Sequence, residues 1–357
     1  MASSTREYVL TDLDDTHTDR SGVSAEHLDA LAVDEEVVEI PGWRRNWRTF
    51  RKNRPAVIGM IVFLVVLGAA IFGPMLSPYD TLAQDLSNRL QGPSLAHPMG
   101  TDELGRDSMT RILAGGRVSL GVAALATTVA LTIGTLVGSL AGYYGRWVDN
   151  VLMRFTDLAL SLPDLFLLIL AASLLGPSFT TMVIIIGLVR WMNVARLTRG
   201  SFMTLREREF VLSARASGTG TRGIIFKHLL PNSLSPLIVA GTLGVASAII
   251  AESTLSFLGL GLQPPASSWG TMLRNAQQQI FTNPWAAVFP GIMIFLTVVS
   301  VNFMGDGLRD VFDPSGKTLS KSRFRERLRG LRDDNEPPQL IAGQNPGAGI
   351  RYKPVDE

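Results

Sequence analysis

The sequence predicts an all-α polytopic membrane protein with six transmembrane helices, and three observations carry that prediction. Apolar residues are gathered into long runs almost free of charge, and about 18 such residues in helical form cross a hydrocarbon core ~30 Å thick. Helices are the open-ended elements that satisfy their own backbone in lipid, so these runs are helical. Lys and Arg gather on alternate connections, as they do when every second connection is cytoplasmic. A mean hydropathy of +0.23 over the chain agrees with all three.

Residues 1–42 come first and are polar and acid-rich (Asp12, Asp14, Asp15, Asp34, Glu35, Glu36). With no apolar stretch among them, they read as a disordered cytoplasmic tail and not as a cleavable leader. Residues 43–76 hold a basic flank (Arg44, Arg45, Arg48, Arg51, Lys52, Arg54) and then a first span from Ala56 to Leu76. Residues 77–117 form an extracytoplasmic segment in which acids outnumber bases. The core, 118–312, begins with a second span from Val118 to Gly142, where Gly134, Gly138, Gly142 and Ser139 suit close helix packing. The third span runs from Val151 to Leu175 with Pro163 near its middle, and the fourth from Phe179 to Val194. A cytoplasmic connection, 196–232, leads to a fifth span from Leu237 to Phe257, and the sixth runs from Trp285 to Phe303. Residues 313–357 are basic, then rich in Pro and Gly, and read as a cytoplasmic tail. The basic flank and the seven Lys and Arg of the 196–232 connection place both termini in the cytoplasm.

Composition excludes several functions. A net charge of +2 does not suggest nucleic-acid binding, and the absence of cysteine rules out thiol catalysis, thiolate metal sites and disulfides. The four histidines are scattered and form no metal-ligand pair.

The 196–232 connection is far longer than two neighbouring spans require. Its centre, Glu207 to Gly218, is dominated by helix formers, and Gly218 stands where a left-handed C-terminal cap belongs. Thr221 can cap a second short helix that Pro231 ends, so two short helices are expected to project into the cytoplasm. A surface hairpin whose basic residues rest on anionic lipid is the other reading.

Three further places hold polar residues of interest. Asp102, Glu103 and Asp107 lack the spacing of a calcium loop. Thr101 or Asp102 is expected to cap a short amphipathic helix on the outer surface, with Leu104, Met109, Ile112 and Leu113 as its apolar side. Glu252 lies within a span, so its carboxylate faces protein or water, either paired with an arginine or touching a substrate near the outer mouth of a pathway. Arg190 and Trp191 stand at the inner end of the fourth span, where snorkelling and interfacial anchoring account for them.

The connection resembles the EAA loop of ABC importer permeases, whose pattern is Glu-Ala-Ala, three residues, Gly, nine residues, Ile, one residue, Leu-Pro. Ala214, Gly218, Leu230 and Pro231 match, while Leu212, Ser213 and His228 depart from it. His228, Leu230, Pro231 and Asn232 are similar to the His-x-Leu-Pro-Asn of peptide permeases. The likeness extends from about Arg51 to Pro314. His97 to Asp107 resembles the outer segment of C-type dipeptide and oligopeptide permease subunits, and Gly142 to Gly145, Glu252 to Gly261, Trp269-Gly270 and Phe289 to Gly291 continue it.

The resemblance implies the type I ABC importer permease fold, a chain forming half of a translocation pathway for short peptides, and coupling through the 207–231 loop. Glu207, Glu209, Phe210, Ala214, Arg215, Gly218, His228, Leu230 and Pro231 would then meet an ATPase. Glu252 would belong to the pathway or its gate, and Asp102, Arg106 and Trp269 to a contact with a binding protein. The implied partners are a homologous second permease, two cytoplasmic ABC ATPases, an extracytoplasmic substrate-binding protein and the peptide, in a prokaryotic plasma membrane. The chain has no Gly-x-x-x-x-Gly-Lys-[Ser/Thr] phosphate loop, so ATP and Mg would reside on the partner ATPases and the chain is not itself an enzyme. Nickel or another small solute is the alternative cargo on the same scaffold. An ion-coupled secondary transporter would need intramembrane acid–base relays, for which the first, second and sixth spans offer no residues.

Overall fold

The computed structural model describes residues 42–312, and the tails expected at either end fall almost wholly outside that range. Helix α1 is Gly42–Lys52, in which Trp47 stacks on the buried Phe50. Asn53 separates it from α2, Arg54–Leu76: its Oδ1 accepts from the Ala56 N–H, and Pro55 occupies the first turn, where a missing N–H costs nothing. On α2 the large side chains Ile58, Ile61, Leu64 and Val65 are exposed, as befits a face turned to lipid.

Helix α3, Ser108–Tyr144, has 37 residues and is therefore about 55 Å long, well beyond the ~30 Å of the hydrocarbon core. Its first turns are tied to the segment before it, the Ser108 N–H donating to the Gly100 carbonyl at 3.0 Å. Its most extensive partner is α6, Phe179–Arg206. A Cβ added at Gly134 would lie 2.5 Å from Val194 Cβ, and one at Gly142 would lie 2.7 Å from Phe202 Cβ. The glycine row seen in the sequence therefore sets how closely these two backbones approach.

Between them, the third expected span is broken. Arg146–Leu160 (α4) and Asp164–Leu175 (α5) meet at an angle of 85°. Pro163 ends the first helical run and opens the second, because it cannot donate into a continuous ladder. Among the described residues, five helices are thus long and apolar enough to cross a membrane, or six with the bent pair as one span.

Two expected boundaries also move. Helix α6 continues twelve residues past Val194, to Arg206, so much of the expected connection is helical. After the short helix α7, Glu209–Ala216, the fifth span begins at once as α8, Thr221–Phe257. The expected second short helix is the first turns of α8. Gly220, not Thr221, is its N-cap, and Pro231 does not end it. Ile224–Leu229 instead form a π turn in which the Leu230 N–H reaches the Ile225 carbonyl. That wider turn directly precedes Pro231, whose ring would clash with the carbonyl of a regular turn.

The chain returns through α9, Trp269–Ala276, which carries a Ser268–Thr271 capping box, to α10, Trp285–Phe312. One buried core joins α2, α3, α6, α8 and α9, and a second, smaller one lies under α7.

Candidate functional site

The α7 hairpin is assembled from a few fixed points. Arg206 closes α6 by donating through Nη1 to the carbonyls of Gly142 and Tyr143, at 3.3 and 3.1 Å, which ties the C-terminal ends of α3 and α6 together. Glu207 is the C-cap of α6, and Glu209 lies in the first turn of α7, where a carboxylate complements the helix dipole. Val211 is fully buried among Phe202, Ile224, Ile225 and Leu229. Its neighbours lie about 100° to either side of it, Phe210 41% and Leu212 52% exposed. A helix of eight residues is marginal alone, so Val211 and the two ends hold it in place.

Its C-terminus is a Schellman turn. Gly218 has φ +80°, its N–H bonds the Arg215 carbonyl at 3.0 Å, and the Thr219 N–H bonds the Ala214 carbonyl at 3.0 Å. Arg215 lies 5.6 Å over the Tyr143 ring, and the Tyr143 hydroxyl donates to Thr221 Oγ1 at 3.4 Å. The structure thus gathers Glu207, Glu209, Phe210, Ala214, Arg215 and Gly218 on one short segment. His228, Leu230 and Pro231 stand apart, at the base of α8, where Leu229 is the buried anchor. The sequence offered no sign that Val211 would be the pin.

At the other end Glu252 is completely buried, and its partners are hydroxyls. Ser119 Oγ donates to Oε2 at 3.0 Å and Ser256 Oγ to Oε1 at 2.7 Å. Among the described residues it has no arginine partner, which corrects one of the two readings of its sequence position. Ser119 also accepts from the Trp269 backbone N–H at 3.2 Å, so the carboxylate joins α3, α8 and the start of α9. Trp269 is itself fully buried, with Nε1 donating to the Ile112 carbonyl at 2.9 Å.

Asp102 and Arg106 are buried as well. Asp102 Oδ1 accepts from the Leu104 and Arg106 N–H groups, Oδ2 accepts from Arg106 Nε at 2.7 Å, and Arg111 Nε lies 3.2 Å away. Asp102, Arg106 and Trp269, expected to face a binding protein, are buried within this chain. The expected amphipathic surface helix is also absent from this stretch. Asp107, not Thr101 or Asp102, is the cap, and it opens α3 by accepting from Thr110 N–H at 2.8 Å. Met109 is exposed, while Ile112 and Leu113 are core residues of α3.

Arg190 is not at an inner helix end, because α6 runs on to Arg206. It is half-buried along the length of α6, with Nη2 donating to the Ser247 carbonyl at 3.1 Å. Arg199, expected in the connection, is also helical, and grips Asp149 of α4 through Nε and, at 2.6 Å, through Nη2.

Comparison with known proteins bears on this arrangement. Residues 134–317 match the family described as the inner membrane component of binding-protein-dependent transport systems, and residues 42–93 match the N-terminal transmembrane domain of oligopeptide transport permease C. The chain is 43% identical over 285 residues to the dipeptide transport system permease protein DppC of Alkalihalophilus pseudofirmus, covering 80% of this chain and 94% of that one. It is 40% identical over 269 residues to the protein of the same name from Bacillus subtilis, covering 75% and 84%. A glutathione transport system permease protein, GsiD of Pectobacterium atrosepticum, is 39% identical over 277 residues, covering 77% and 92%.

Proposed function

The chain belongs to the family of membrane components of binding-protein-dependent transport systems, and we propose that it lines half of a peptide importer's pathway and couples it to ATP hydrolysis through α7. It is a multi-pass membrane permease subunit that works with a substrate-binding protein and ATPases. Short peptides are the cargo that its relatives' names support.

The observation that carries the coupling reading is the split character of α7. Val211 fixes it to the bundle, while Phe210 and Leu212 stand in the open beside a cap that sets its direction. Apolar side chains exposed on both flanks of a braced, eight-residue helix suit a groove on another protein better than a charged lipid surface. Leu212 replaces the family's glutamate, so the contact here is apolar at that point. Motion of an ATPase can bias the bundle only if it holds α7 differently in its two states.

On this reading the connection is cytoplasmic, both termini are cytoplasmic, and α9 with the 77–107 segment faces outward. The full assembly adds a second, homologous permease and a pair of ATPases, on which ATP and Mg reside. The domain plan is a basic flank with the first span, an outer segment, and a permease core carrying α7.

The test is uptake by proteoliposomes containing the whole complex, ATP inside and loaded binding protein outside. ATP-dependent accumulation of a labelled dipeptide is the expected result. Accumulation of nickel with none of peptide would replace the cargo, and the absence of any ATP-driven uptake would overturn the assignment.

A further inference from the structure

A half-open cavity of about 310 Å³ lies where α3, α6 and α8 converge. On α6 its wall is Arg190, Asn193 and Leu197, which share one helix face by their spacing. Thr127 of α3 and Gly244 and Ser247 of α8 complete the polar side. Arg190 follows Phe179 by eleven residues, so it sits about 16 Å along α6, close to the middle of a ~30 Å core.

Two buried polar atoms in this wall have no partner: Arg190 Nε and Thr127 Oγ1. They belong to different helices and line the same space. Arg190 is the sole ionisable side chain in that lining, and it makes no ion pair among the described residues. Asp164, at the start of α5, acts on it only through space. Gly244 keeps the floor clear, since a Cβ there would stand 3.1 Å from Thr127 Cγ2. A guanidinium and an exposed Asn193 at this depth are costly against lipid, so they belong to a water-filled path.

We propose that this cavity is an intramembrane way-station for the anionic end of the cargo: Arg190, with Thr127 and Asn193 beside it, receives a carboxylate of a peptide in transit. The inference rests on the reading of the chain as half of a peptide pathway. A planar cation with spare N–H donors suits a carboxylate, which can accept from two of them at once. Thr127 Oγ1 supplies a further donor. The site needs no lasting affinity, because a transport path must release what it binds.

The chain contains no cysteine, so Arg190→Cys introduces a single thiol into this subunit. The assay uses the whole reconstituted complex, the wild-type complex being the control for thiols on other subunits. Arg190→Cys is expected to lower dipeptide uptake at least tenfold while ATP hydrolysis still responds to loaded binding protein. Aminoethyl methanethiosulfonate, which restores a cation, should recover at least half of the uptake, and the neutral methyl reagent should not. Excess peptide during turnover should slow the labelling. The proposal fails if uptake by the variant stays within twofold of wild type. It fails equally if both reagents restore uptake alike, or if the thiol cannot be labelled during turnover, which would make Arg190 an internal brace. Failure of the peptide reading itself looks different, because the wild-type complex would then take up no peptide.

Discussion

Gly218 separates a backbone requirement from a contact surface. At φ +80° it occupies the left-handed region, and a Cβ built there meets nothing within 4 Å. The cost of a side chain is therefore conformational, about 1–2 kcal/mol for an ordinary L-residue and more for a β-branched one. Escaping that cost by moving φ would break the bonds from Gly218 N–H to Arg215 and from Thr219 N–H to Ala214 that close α7. Taking about 2 kcal/mol for Gly218→Val, the population of correctly closed hairpin falls roughly thirtyfold relative to its open forms. A helix of eight residues has little reserve against such a loss. Asn tolerates the left-handed region, so Gly218→Asn should keep transport within about threefold of wild type. The assay is ATP-driven dipeptide uptake by the reconstituted complex, with hydrolysis followed in parallel and insertion checked by protease protection. The expected order is Gly, then Asn, then Ala, then Val, with the ATPases detached or no longer responsive to binding protein in the last. Equal uptake by Val and Gly variants would refute the reasoning, and so would an Asn variant as poor as Val.

Further predictions address packing and topology. Gly134→Val should push α3 from α6 and destabilise the complex by about 1–3 kcal/mol or prevent its assembly, whereas Gly68→Val, with open space around it, should be neutral in thermal unfolding. Glu252→Ala strands the Ser119 and Ser256 hydroxyls and should cost about 2–5 kcal/mol, while Glu252→Gln keeps an acceptor and should cost clearly less by the same melting assay. Arg222→Cys and Gln278→Cys, both at exposed positions of a cysteine-free chain, should react with an impermeant maleimide from opposite sides. Position 222 is expected to label from the cytoplasm, and the reverse result would invert the proposed orientation.

The spans were legible because run length and charge distribution are one-dimensional properties. Gly134, Gly138 and Gly142 announced a close helix pair, although only the fold shows that Val194, Ala195 and Phe202 fill the groove opposite. Helix ends were harder to read. Nothing local stops α6 at Val194, and the Arg and Thr residues that followed resembled a loop while remaining helical to Arg206. Pro231 looked like a stop, yet the π turn before it absorbs the missing donor. Pro163 was seen inside a span, but an apolar run gives no clue to an 85° bend. Sequence position says little of how deeply a polar residue is buried. Asp102, Arg106 and Trp269 looked like surface contacts because burial depends on segments far away in sequence, such as Ile112 and Ser119 meeting Trp269. Arg190 reads as the edge of a span ending at Val194, and its place along the helix follows only once α6 is known to run to Arg206.

The central claim, that α7 is the element an ATPase grips, is tested most directly by placing a photoreactive residue at Leu212 in the assembled transporter. Leu212 points outward from α7, while its neighbour Val211 is buried and serves as the paired control. Irradiation should join the subunit to an ATPase from position 212 and not from position 211, with a yield that changes when ATP is bound. Adducts with lipid alone, or an ATPase adduct indifferent to nucleotide and equal at both positions, would contradict the account.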